Sequence, residues 1–138
     1  MPIAPSDFLV VAQTLKSGSA LEPKEPRDRT IVGRAYYAAY LAAREAVRKA
    51  YGKPGLWVAH EALATNLAGV SDAAVADVGI RLQTLKQTRK RADYELKSTV
   101  TANDVALMCA SADRVIASAP KIVSLIPQGL DFSPRPRR

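Results

Sequence analysis

Val75-Ala-Asp-Val78-Gly-Ile-Arg-Leu82-Gln-Thr-Leu85-Lys-Gln-Thr-Arg89-Lys-Arg-Ala92-Asp-Tyr94 repeats its apolar residues at steps of three and four, the spacing of one face of an α-helix. Continuing those steps past Leu85 lands on Arg89 and then on Ala92. A guanidinium is therefore aimed along the core-facing stripe. Burying that charge unpaired costs on the order of several kcal/mol. Arg89 is accordingly expected in a partly wet cleft, paired with an acid, or against a bound anion. Asp93, four residues further on, is the acid that the same helix offers for a structural ion pair.

The rest of the chain repeats the helical signature. Ser6 is placed to cap a short first helix with Phe8, Val11, Ala12 and Leu15 on its apolar face and Gly18 as its stop. A connector over Ser19 to Pro26 leads to a long second helix, capped by Asp28 and ended by Gly52 with Pro54 beyond. Val32, Tyr36, Ala39, Ala43, Ala46 and Ala50 form its core stripe, and the alanines allow close helix packing. A loop over Gly52 to Ala59, a short third helix over His60 to Leu67, and Ser71-Asp72 opening the fourth helix follow. Glu95 to Val100 breaks the pattern. Thr101 with Asp104 resembles a capping box for a fifth helix, with apolar positions from Val105 through Cys109, Ala112, Val115 and Ala119 to Ile126 and a kink or break at Pro120. The expectation is an all-α, up-and-down bundle of about five helices over residues 1–127, followed by a basic mobile tail over 128–138. No internal repeat and no alternating strand pattern is present.

Composition narrows the partners. The chain has 138 residues, and 20 Lys plus Arg against 13 Asp plus Glu give a net charge of +7, which favours nucleic acid, nucleotides or an acidic protein. One Cys and one His exclude an intrachain disulfide and a Cys/His zinc site, so no metal or cofactor is expected. No Gly-rich phosphate loop or nucleophile elbow occurs. Pro2, Pro5 and Asp7 at the start are unlike a basic leader, and no apolar run reaches the roughly 18 residues of a membrane span. A cytoplasmic location with no membrane partner is expected.

Two helix faces carry the charge. Arg34, Tyr37, Leu41, Arg44 and Arg48 recur at three and four on the second helix, which reads either as a phosphate-binding face or as a solvated side. Lys86 and Lys90 share a face of the fourth helix, with Arg91 beside them, and all three are expected on a nucleic-acid-binding surface. His60, the sole histidine, reads as a surface or helix-end residue, with a catalytic imidazole brought to the Arg89 cleft by folding as its alternative. Trp57 reads as a cover for the bundle edge, with base stacking as its alternative.

Arg34-Ala35-Tyr36-Tyr37-Ala38-Ala39-Tyr40-Leu41-Ala42-Ala43-Arg44, followed by Arg89-Lys90-Arg91-Ala92-Asp93-Tyr94, resembles the two signature helices of the HEPN superfamily, the higher eukaryotes and prokaryotes nucleotide-binding domains. The match runs from about Arg29 to Ile126. The resemblance implies an all-α bundle that often dimerises across these helices. It also implies kinship with metal-independent endoribonucleases acting as toxins beside a nucleotidyltransferase-like antitoxin or in phage defence, and with inactive relatives that bind RNA, nucleotides or such a protein partner. Arg89, Asp93 and Tyr94 are the positions that match the family's catalytic helix. Ribonuclease members carry a His after four to six residues beyond the Arg, where this chain has Tyr94, Glu95 and Leu96. Arg89 suits stabilisation of a phosphorane, while Tyr94, with an ordinary pKa of about 10, is a poor base. Pairing with Arg89 would weaken Asp93 as a base as well. In the relatives that this chain resembles, a segment like that of His60 often carries a histidine between the signature helices.

Overall fold

Lys24 to Tyr51 form one uninterrupted helix, α1, whose alanines let two other helices press on it at once. The computed structural model describes Pro5 and residues 24–94 and 100–133. The expected helix over Ser6 to Leu15 lies outside the described residues. Four α-helices are described, α1, α2 (His60–Ala68), α3 (Ala73–Tyr94) and α4 (Ala102–Ile122), closed by a 3-10 turn over Val123–Leu125. No strand occurs among the described residues.

The α1 helix starts four residues ahead of the expected cap. Pro26 sits in its first turn, where a missing N–H breaks no helical bond, and Asp28 is an interior helix residue that is buried. Burial extends beyond one stripe. Ile31, Val32, Ala35, Ala38, Ala39, Ala43 and Val47 are all fully buried, because α4 and α3 both pack against α1. Gly52 ends the helix with φ +63, a left-handed conformation that glycine adopts without a Cβ penalty.

On α3 the apolar stripe is realised as read: Val75, Val78, Leu82 and Leu85 are buried. Asp72 opens that helix by accepting from the amides of Ala74 (2.9 Å) and Val75 (3.2 Å). The Thr101–Asp104 capping box opens α4 with both of its reciprocal bonds. Pro120 does not divide α4, which runs on to Ile122 before tightening into the 3-10 turn. No described helix is long and apolar enough to cross a membrane.

The segment expected to begin a mobile tail at 128 is instead fastened down as far as Phe132. The Gln128 side-chain amide donates to the Ala50 carbonyl at 2.8 Å, covering an open carbonyl at the end of α1. The Tyr51 hydroxyl donates to the Pro127 carbonyl and accepts from the Leu130 amide. Phe132 is buried edge-on against Tyr51, and its carbonyl accepts from the Ala59 amide at 2.8 Å. This strap holds the residue that precedes His60.

Gly79 marks a close helix crossing. A Cβ there would collide with the Ala68 amide nitrogen and come within 2.6 Å of Ala68 Cα, so α3 approaches the end of α2 at backbone distance. The atoms struck are backbone and cannot rotate away. Gly79→Ala is expected to cost about 1–3 kcal/mol and to lower Tm by roughly 5–10 °C. A thermal melt with an unchanged Tm would show that α2 and α3 do not meet in this way.

Candidate functional site

Three tyrosines at positions 36, 37 and 40 put phenol rings on the side of α1 that meets the start of α2. Tyr36 and Tyr40 are one helical turn apart and both are buried. The Tyr40 hydroxyl donates to the Val58 carbonyl at 2.7 Å, and the Tyr36 hydroxyl lies 2.7 Å from Nδ1 of His60. The imidazole stacks on the Tyr40 ring, with centroids 3.7 Å apart and 9° between planes. A buried aromatic ring with a polar tip ordinarily finds a partner, and here the partners are the loop before α2 and its first side chain.

Arg89 comes to the same place from α3. It is half-buried, and its guanidinium carbon lies 5.2 Å from the Tyr36 ring centroid, within cation–π range. The arginine on the core stripe therefore does enter the bundle edge. Arg44 stands 5.6 Å over the Tyr40 ring, and its Nε is buried without a hydrogen-bond partner among the described residues. Lys86 contributes a third cation, 3.1 Å from Glu61.

These charges act on the imidazole. Desolvation pushes the His60 pKa below its ordinary 6.5, and Arg89, Lys86 and Arg44 push it further down. Burial raises the Tyr36 phenol to about 12, against a lowering by Arg89 and a small further rise from Tyr40. At neutral pH the pair is an uncharged imidazole and an intact phenol. Arg89 and His60 are thus linked through one tyrosine, although they come from helices far apart in sequence.

The remaining sequence candidates fall into several places. Tyr37, Arg44 and Arg48 line a cleft of about 250 Å³ together with Tyr40, Trp57 and His60. Part of Arg48 is committed to structure, its Nε donating to the Leu56 carbonyl at 3.0 Å. Lys86 and Lys90 line a neighbouring cleft of about 380 Å³ between α2 and α3. Arg34 is exposed and lines neither cleft. Arg91, expected on the binding surface, instead pairs with the capping residue Asp104 at 3.2 Å and ties α3 to α4. Asp93 and Tyr94 close α3, but their side chains lie outside the described residues. Trp57 does not cover the bundle edge, since 69% of it is exposed. Among the described residues no three His, Cys, Asp or Glu side chains converge as a metal site would require.

Tyr36 and Tyr40 are the site residues that the sequence reading did not single out. Their signal is a pair of polar-tipped aromatics at i and i+4 inside a stripe of alanines, where aliphatic residues alone would pack. No family model, no curated protein and no solved structure matches the chain.

Because His60 is the chain's one histidine, its imidazole resonances titrate a single group. The expected midpoint lies below 6.5, and Arg89→Ala should raise it. A depressed folded-state pKa means that the unfolded chain takes up a proton that the folded chain refuses. The stability gained by keeping His60 neutral is therefore complete above pH 6.5 and declines as pH falls through 6.5 toward the lowered value. Thermal melts should show this slope in the native protein and a flatter one in His60→Gln. Equal slopes would mean that His60 is not held in this environment.

Proposed function

We propose that this all-α bundle is a HEPN-like protein that binds RNA at the Tyr36–Tyr40–His60–Arg89 site and cleaves it without a metal, as toxins of toxin–antitoxin or phage-defence systems do. The observation that carries the reading is the neutral imidazole of His60, fixed on Tyr40 and Tyr36 and ringed by Arg89, Lys86 and Arg44. In the sequence, the Arg89 helix lacks a histidine at positions 94–96. In space, His60 supplies an imidazole to Arg89 from another helix.

The chemistry needs a base for the ribose 2′-hydroxyl as its oxygen bonds to phosphorus, and a cation for the charge that grows there. It also needs a proton for the 5′-oxygen as its bond to phosphorus breaks, which the protonated imidazole gives back. With Nδ1 bonded to Tyr36, Nε2 is the nitrogen left to take the proton. For that step Nδ1 carries the hydrogen and donates it to the phenol oxygen. Arg89 faces the phosphorane, and Arg44 and Lys86 raise the local concentration of phosphate. A symmetric dimer would bring two such sites together.

A second reading has support of its own. Ile80 on α3 and Leu107 on α4 are large apolar side chains left more than half exposed. They suit an inactive member whose partner is a protein, such as a nucleotidyltransferase-like antitoxin.

Purified protein with a single-stranded RNA in the presence of a chelator separates the two readings. Cleavage is expected, and it should be lost in both Arg89→Ala and His60→Ala. Loss of the contact with Tyr36 contributes about 1–2 kcal/mol to the stability cost of the arginine change. Binding should weaken steeply with salt, and Lys90→Ala should reduce the slope of log K against log salt by about one. Salt-insensitive or absent binding would leave the protein-partner reading in its place.

A further inference from the structure

Trp57 is the chain's one tryptophan, and it stands in water on a loop that is anything but slack. The carbonyl before it, on Leu56, accepts from Arg48, and the carbonyl after it, on Val58, accepts from Tyr40 at 2.7 Å. The loop is closed further by the Lys53 amide on the Arg48 carbonyl and the Leu56 amide on the Lys53 carbonyl, each at 3.0 Å. The backbone on both sides of the indole is thus tied to α1 or to its own turn, so the exposed position is built rather than left over. Tyr37, itself 42% exposed and tilted 33° from Tyr40, lines the same cleft.

We infer that Trp57 and Tyr37 form a subsite for one unpaired nucleobase of an RNA strand whose phosphate reaches Arg44. The inference rests on the RNA-binding reading above and adds to it which part of the ligand is read, and where. A flat ring with π-faces suits an exposed indole, because stacking tolerates any base and needs no fixed hydrogen-bond pattern. The cleft, at about 250 Å³, falls below the roughly 300–1,000 Å³ of drug-sized sites, which fits a base with its sugar and phosphate at the mouth. Charge argues against an apolar protein segment as the occupant. Such a segment would cover with apolar groups the Arg44 side chain that lines the cleft, whereas a phosphate would pair with its charge. The chain's net charge of +7 points the same way.

The test uses the indole as its own reporter. A short oligouridylate and an abasic ribose-phosphate oligomer of equal length, both 2′-O-methylated so that the proposed cleavage cannot consume them, are titrated into the full chain. Trp57 emission is recorded together with the anisotropy of dye-labelled oligomer. The free protein should emit as a water-exposed indole. Oligouridylate should quench that emission with the midpoint seen by anisotropy, and the abasic oligomer should bind without quenching. Trp57→Leu should weaken oligouridylate by about 5- to 150-fold, the equivalent of roughly 1–3 kcal/mol per stacked base, and leave abasic binding unchanged. Tyr37→Leu should weaken it in the same selective way. Oligouridylate binding that neither quenches Trp57 nor responds to these substitutions would overturn the subsite while leaving RNA binding standing. Emission of an already buried indole in the free protein, sharpening with concentration, would assign the surface to a second copy of the chain and overturn it too. Failure of both oligomers to bind at low salt would remove the RNA reading and the subsite together.

Discussion

The docking of the start of α2 onto two tyrosines of α1 is the contact on which the rest of the site depends. Tyr40 fixes the Val58 carbonyl with its hydroxyl and the His60 ring with its face, while Tyr36 takes Nδ1. Without these rings a helix of nine residues would have little to hold its first turn, since no side chain caps it. The Ala59 amide bonds to the strap at Phe132, and the far end of α2 meets the backbone of α3 at Gly79. A short helix is thereby pinned at both ends. The position of its first side chain is set by tertiary contacts rather than by helix propensity.

That placement decides the electrostatics. Three cations converge on an imidazole that is half withdrawn from water, and both influences favour its neutral form. The same surroundings keep the Tyr36 phenol protonated far above neutral pH. A neutral imidazole among fixed positive charges can accept a proton, but holding that proton is costly until an anion arrives. Entry of an anion would offset the charges of Arg44, Lys86 and Arg89 and so raise the basicity of His60.

Much of this was legible in the sequence, and the limits have physical causes. Local rules carried the helices: the Val75–Leu85 stripe, the Thr101–Asp104 box and the Gly52 stop all depend on neighbours within a few residues. They failed where a contact crosses the chain. Asp28 looked like a cap because it is a good capping residue, yet the helix continues upstream through Pro26. Pro120 looked like a break, yet α4 lasts two residues beyond it. Phe132 is a single aromatic among turn-forming residues, and only the Tyr51 ring and the Ala59 amide make it a core residue. At the site, the periodicity marked Arg89 because a charge on an apolar stripe is anomalous within one helix. The i, i+4 tyrosines of α1 carry a weaker mark, polar tips inside a stripe of alanines, and their partnership with His60 is not written in either segment, because it forms only when α2 docks on α1.

The cation cluster is also a statement about stability. Like charges gathered around a half-buried ring repel one another, and Glu61, itself exposed, is the acid found against Lys86. A core selected for stability alone would place aliphatic residues where α1 carries Tyr36 and Arg44, filling the same space without orphaning a guanidinium nitrogen. Gathering these groups at the meeting point of three helices costs stability relative to an apolar packing. The bundle supplies the compensation elsewhere, in the fully buried faces of α1, α3 and α4, which hold rigid the backbone from which the charges project. An anion that entered would meet donors whose positions the bundle already fixes, with little reorganisation left to make.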